Sequence, residues 1–206
     1  MGTRLVGCVS FYDEPPGWMA AAVTSLSRLC DHVVCLDGAY EWFPAGLPSS
    51  GPDAAAEILG AAIGTGVGIT FEAPSDCWPN EVAKRNRLLE LACDDGWLLV
   101  LDGDEIIRNA PAGLRQQLSM TDLDVATYTL VDQDGHGSET RGIYRAGGLR
   151  YEGAHHRLLR GDVHLLDPLT PAEPTGLRVQ HRVRTGPRHV AAREYAERRE
   201  LLGLER

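Results

Sequence analysis

The chain has 206 residues, an ordinary globular composition and a formal net charge of −9. That size suits one domain with a real core, and the acidic balance argues against general nucleic-acid binding, which needs a basic surface. No apolar run is long enough to span a bilayer and no signal pattern opens the chain.

Leu5 to Ser10 predicts a first strand, Trp18 to Cys30 a helix, and Val33 to Leu36 a short second strand ending at Asp37. That order is a βαβ unit, parallel and right-handed by default. Tyr40 to Gly51 is a loop rich in Pro, Gly and Ser. Pro52 suits the first turn of a helix running to about Ile63. Gly68 to Ala73 reads as a third strand, and Asn80 as the cap of a helix continuing to Cys93. Val125 to Val131, Gly142 to Arg145, Leu149 to Glu152 and Val163 to Leu166 are shorter strands separated by Gly and Asp, which suggests antiparallel or mixed pairing. Leu166 to Gly176, with three prolines, reads as an irregular loop, and His189 to Leu202 as a terminal helix.

The most informative stretch is Trp97 to Glu105, a continuous apolar run ending in Asp102, Asp104 and Glu105. It reads as a strand buried on both faces, with the acids at its carboxyl end, where open α/β sheets place ligands. Asp102 and Asp104, two residues apart, leave a strand on the same side. Crowded carboxylates repel, and a divalent cation with oxygen ligands, Mg²⁺ or Mn²⁺, relieves the repulsion while taking further ligands from substrate phosphates. The competing reading is an acidic surface turn, because Asp and Gly are ordinary turn residues.

On the helix after Asn80, about 100° per residue places Val82, Leu88, Leu89, Ala92 and Cys93 on one arc. Arg85 falls near the middle of that arc, Asn86 at its edge, and Lys84 outside it. A buried arginine requires an anion. Arg85 is therefore expected to meet a strand-end carboxylate or a bound nucleotide. The five cysteines (Cys8, Cys30, Cys35, Cys77, Cys93) form no C-x-x-C pair, which suits reduced thiols and a cytoplasmic location. From Arg178 onward there are eight arginines against four glutamates, a basic tail on an acidic body.

Several segments in order resemble the GT-A-fold glycosyltransferases of family 2 type. Phe11-Tyr12-Asp13-Glu14 is similar to the acidic turn after the first strand. Cys30 to Gly38 resembles the second strand with its Asp-Gly end. Lys84-Arg85-Asn86 looks like the K-R-N helix start, Asp102-Gly103-Asp104-Glu105 like D-x-D-E, and Arg150 to His155 like the family's tyrosine–glycine–histidine segment, here Y-x-G-x-H. The resemblance implies an α/β/α sandwich in a single domain, residues 1–206. Its Rossmann-like half, residues 1–105, would hold the nucleotide sugar. A mixed-sheet half, residues 106–206, would face the acceptor. It further implies that Asp37 contacts the base or ribose, that Arg85 lies near the nucleotide with Asn86 beside it, and that Asp102 touches ribose or metal. Asp104 would be the principal metal ligand, with His155 or His181 as a further one. The tail, with Arg182, would reach the diphosphate. His156 departs from the pattern, since a glutamate commonly follows the histidine. The chain stops soon after the sheet, so an acceptor surface is expected to draw on a second subunit, as in a homo-oligomer, or on a large partner.

The expected activity is metal-dependent transfer of a sugar from a nucleoside diphosphate sugar, with inversion. Asp132, Asp134 and Glu152 are candidates for the base that deprotonates the acceptor, and Glu105 is an orienting acid. The acceptor class stays open among glycan, lipid, protein and small molecule. Two alternatives are a nucleotidyltransferase on a related fold and a non-catalytic nucleotide-sugar-binding module. The first normally requires a glycine-rich basic loop after the first strand, where this chain has Ser10 to Pro16.

Overall fold

The computed structural model describes residues 3–43, 47–92 and 95–183, without the side chain of residue 155. The expected terminal helix and Cys93 lie outside the described residues. In chain order the elements are β1 (Leu5–Ser10), α1 (Trp18–Leu26), β2 (His32–Leu36), α2 (Pro52–Thr65), β3 (Gly68–Glu72), α3 (Glu81–Leu91), β4 (Trp97–Asp102) and β5 (Glu105–Asn109). There follow α4 (Leu114–Met120), β6 (Val125–Val131), β7 (Gly137–Arg145), β8 (Leu149–Glu152), β9 (Ala154–Arg160), β10 (Val163–His164) and β11 (Glu173–His181).

The described strands form an eight-stranded sheet in the order β3-β2-β1-β4-β7-β6-β11-β5 and a three-stranded sheet β10-β9-β8. β3, β2, β1 and β4 are parallel, and β7 then runs against β4. This is a Rossmann-like half joined to a mixed half, the GT-A-like α/β/α architecture. Alternation along the central strands divides the core. Leu5, Val9, Leu99 and Leu101 pack against α1 and α2 through Val23, Leu26 and Ile58. Val6, Cys8, Leu98 and Val100 face the opposite side, with Leu88 of α3 and Tyr151 of β8. Both faces are covered, so these strands carry uninterrupted apolar runs.

Local signals fix the helix starts. Asn80 Oδ1 accepts from the Ala83 amide at 2.8 Å, capping α3. Pro52 opens α2, and Gly66 ends it in the left-handed conformation.

The sheet must curl. In a flat sheet four strand spacings, roughly 19 Å, would separate β4 from β5. Gly103 and Asp104 alone join them, a link that reaches about 10 Å at most. The far edge therefore returns to the end of β4. Glu105 Oε2 accepts the Asp102 amide at 2.9 Å across this corner.

The segment read as an irregular loop from Leu166 to Gly176 is a strand from Glu173 onward. Thr175, Leu177 and Val179 are buried at alternate positions. Pro174 and Gly176 hid that period, and they sit where the β11–β6 register slips. Among the described residues, no helix is long and apolar enough to cross a membrane.

Candidate functional site

The carboxyl ends of β1, β2 and β4 meet the first turn of α3, and two clefts open there. The first, about 220 Å³, is lined by Phe11, Tyr12, Tyr40, Trp42, Lys84 and Asp102 among others. The second, about 210 Å³, has Asp102, Glu105, Tyr128, Arg141, Tyr151 and His156 in its walls. Arg85 and Asp102 belong to both.

Aromatic rings build the first cleft's outer wall. Tyr40 stacks on Trp42 with centroids 5.3 Å apart, and Tyr12 meets Phe43 edge-on at 5.0 Å. Asp37 fixes the loop that carries Tyr40, Trp42 and Phe43. Its carboxylate is buried and accepts from the Gly38 amide (2.6 Å), the Ser50 amide (2.7 Å) and the Ser50 hydroxyl (2.7 Å). Burial raises its pKa, against those hydrogen bonds and the nearby Lys84 charge. Asp37 therefore acts on the cleft through the loop, and the cleft's own surface at that point is Gly38 and Ala39.

Lys84 is a residue the sequence reading placed outside the buried arc. It is 2% exposed, and its Nζ donates to the carbonyls of Phe11 (2.7 Å) and Gly38 (2.8 Å). The buried stripe of α3 runs through Lys84 and Leu88, one position from where hydrophobicity alone centred it. A charged residue carries no hydrophobic signal, so only its place in the K-R-N segment pointed to it. Burial lowers its pKa from 10.5 to about 8, partly offset by Asp37 and Asp102. The unfolded chain holds this proton up to pH 10.5 and the folded chain only to about 8. Stability therefore rises with pH between those values, by roughly 3 kcal/mol. The neutral amine still has two N–H groups for its two carbonyls. Buried Cys30 and Cys35 act oppositely above pH 9, because burial raises their thiol pKa values. Urea titrations of wild type and Lys84→Met from pH 7.5 to 10 isolate the lysine. The wild-type advantage should grow across this range, and a gap that stays constant with pH would break the linkage.

Arg85 meets the expected anion. Its Nε donates to Glu81 at 2.8 Å, an Nη donates to Asp102 at 3.3 Å, and Tyr151 lies under its guanidinium at 5.8 Å. Asn86 is committed to the backbone of Tyr151, donating to its carbonyl (3.0 Å) and accepting from its amide (2.7 Å). It ties α3 to β8.

The acids after β4 do not share a face. β4 ends at Asp102, and Gly103-Asp104 forms a turn, so strand alternation stops where the prediction relied on it. The Asp102 side chain is 45% exposed and faces both clefts. That of Asp104 is 5% exposed, with Oδ2 3.0 Å from Nε2 of His181. Gly103 is required by crowding: a Cβ there would lie 2.6 Å from Glu14 Oε1 and from Phe11 Cβ. Glu105 is buried, and its pKa rises to about 8 through burial and then the charge of Asp102. Arg182 straps the turn from outside. Its guanidinium donates to the carbonyls of Gly103 (2.9 Å), Asp104 (3.3 Å) and Trp18 (3.3 Å), over the Trp18 ring at 4.2 Å.

Asp132 and Asp134 sit exposed in the β6–β7 hairpin turn, where Asp132 Oδ1 accepts from the His136 amide at 2.8 Å. Glu152 is exposed at the end of β8, 3.6 Å from Arg150. None of the three lines either cleft. The β6–β7 turn carries both aspartates into solvent. His155 lies on β9, and its side chain is outside the described residues.

Among the described residues no cluster of three or more His, Cys, Asp or Glu side chains is placed to hold a metal ion. The Asp104–His181 pair supplies one carboxylate and one imidazole, with Asp102 two residues away. That set fits Mn²⁺ or Mg²⁺ only in the manner of an ion that draws most of its ligands from water and substrate phosphates.

No family model matches the chain, and no curated protein matches it. Solved structures do. A 4-diphosphocytidyl-2C-methyl-D-erythritol synthase from Anaerococcus prevotii aligns with a TM-score of 0.50 at 9% identity, over 96% of this chain and 100% of its own. A chain assigned as a glucose-1-phosphate thymidylyltransferase from Bacillus anthracis, in complex with sucrose, aligns with a TM-score of 0.54 at 12% identity, over 97% and 95%. At these identities the likeness is one of fold.

Proposed function

We propose that the chain is a transferase acting on a nucleotide sugar, and that its reaction is glycosyl transfer from a nucleoside diphosphate sugar to a hydroxyl acceptor. One observation carries this reading: two clefts of similar size meet at Arg85 and Asp102. The aromatic cleft suits a base and ribose, the Arg85–Asp102 junction suits a diphosphate, and the second cleft receives the acceptor. Asp104, at the turn after Asp102, and its partner His181 line neither cleft. They would hold the divalent ion, which when bound would offset charge on the departing diphosphate. Arg85 orients the phosphates. The base that accepts the acceptor's proton belongs among the carboxyl groups in the second cleft's wall, Asp102 and Glu105. Calorimetry with UDP-, GDP- and dTDP-sugars and Mn²⁺ tests the reading. Binding of at least one is expected, and folded protein that binds none would count decisively against it.

Nucleotidyl transfer is the second reading, and the two structural likenesses favour it over glycosyl transfer, since both neighbours are nucleotidyltransferases by name. The chemistry of this chain's loop favours the first. Ser10 to Pro16 is acidic and holds no glycine run. Two of the three N–H groups of the nearby Lys84 ammonium go to backbone carbonyls. Release of pyrophosphate from a nucleoside triphosphate and a sugar 1-phosphate would establish the second reading. A non-catalytic binding module is separated from both by the double variant Asp102→Asn/Asp104→Asn, which should lose activity in whichever assay is positive.

A further inference from the structure

The second cleft holds a cation that the reaction above does not use. Arg141 of β7 is half-buried in its wall. Its Nη2 donates to the Pro168 carbonyl at 3.1 Å. Its Nη1 is buried and has no hydrogen-bond partner among the described residues. The contrast with Arg85 in the same wall is direct. Arg85 is matched by Glu81 and Asp102, and the carboxylate of Glu105 takes the Asp102 amide. Neither acid of the cleft pairs with Arg141.

A guanidinium stays charged at any physiological pH and offers a planar fork that matches an oxyanion. Leaving one of its buried donors unmatched costs about 1–3 kcal/mol. A leucine or methionine would fill the same part of the wall, which also holds Tyr128 and Tyr144, without that cost. An arginine in this place is explained by a ligand that completes it. We infer that the second cleft takes an acceptor bearing an oxyanion, a phosphate monoester or a carboxylate, and that Arg141 binds it. The inference rests on the two-cleft reading above and names the acceptor class for it.

The test titrates the full chain with inorganic phosphate, glucose 6-phosphate, glucuronate and neutral glucose, each with and without saturating UDP and Mn²⁺. Wild type should bind at least one anionic probe more tightly than glucose, and UDP should not displace it. Arg141→Leu should weaken that probe about tenfold or more, the loss of one charge-assisted contact, and leave UDP affinity unchanged. Arg141→Lys should recover part of the loss. The rank of phosphate, glucose 6-phosphate and glucuronate distinguishes phosphate from carboxylate. A melting temperature of Arg141→Leu close to wild type shows that the variant is folded. Equal probe affinity in wild type and Arg141→Leu overturns the inference, as does displacement of every anionic probe by UDP or binding of none. Anionic probes that bind through Arg141 in a protein that binds no nucleotide would instead sink the donor reading and leave the anion site standing.

Discussion

Asp102→Asn should cost about 100-fold or more in turnover, measured as donor hydrolysis or pyrophosphate release, while stability changes by less than about 0.5 kcal/mol. The two expectations have separate causes. Asp102 lines both clefts, so in the proposed reaction its charge acts on whatever is transferred between them. Its side chain is 45% exposed, and its partner Arg85 keeps Glu81 at 2.8 Å when the Asp102 charge is removed. With the Asp102 carboxylate half-exposed and Arg85 still paired to Glu81, the contact contributes little to folding. Urea midpoints of wild type and variant provide the control. Asp132→Asn, Asp134→Asn and Glu152→Gln should leave turnover unchanged, because none of those acids faces a cleft. Full activity in Asp102→Asn would remove the junction from the mechanism. Loss of activity in Asp132→Asn would move the base to the hairpin.

The parallel half was legible in the sequence because its determinants are local. Continuous apolar runs announced β1, β2 and β4, Asn80 announced α3, and Pro52 announced α2. The Arg85–Asp102 contact follows from the rule that a partly buried cation demands an anion. What local patterns left open, such as the choice between His155 and His181 beside Asp104, depends on pairing across long separations. His181 reaches Asp104 because β11 pairs with β5 in a register that sets His181 opposite Glu105, and no local pattern encodes that register. β5 itself was missed because the acids appeared to end the structure, although Ile107 continues the buried alternation. The same two-residue turn accounts for the splayed aspartates. A rule about strand faces holds only while the strand lasts, and here the chain turns at Gly103. Lys84 shows a further limit. Hydropathy ranks it as surface, yet two convergent carbonyls make a buried site for an ammonium group.

Gly38→Ala should destabilise the fold by roughly 3–5 kcal/mol, a large share of a typical domain's total. Gly38 holds φ at +125°, and an added Cβ would lie 2.5 Å from Trp78 Nε1 and 2.6 Å from Pro74 Cγ. Moving Trp78 is costly because its Nε1 donates to the Asp37 carbonyl at 2.9 Å and its backbone bridges to Tyr40. The Gly38 carbonyl also receives the Lys84 ammonium. One methyl group thus strains the backbone, displaces the ring behind the aromatic wall and disturbs the lysine's support. Gly66→Ala isolates the first effect, since Gly66 has φ +73° and nothing within 4 Å of an added Cβ. It should cost about 1–2 kcal/mol. Urea unfolding of both variants, with nucleotide titration of any folded Gly38→Ala, reads the difference. Equal losses at the two positions would mean that Trp78 yields freely. The first cleft would then lack the rigid wall that its proposed use as a nucleoside site requires.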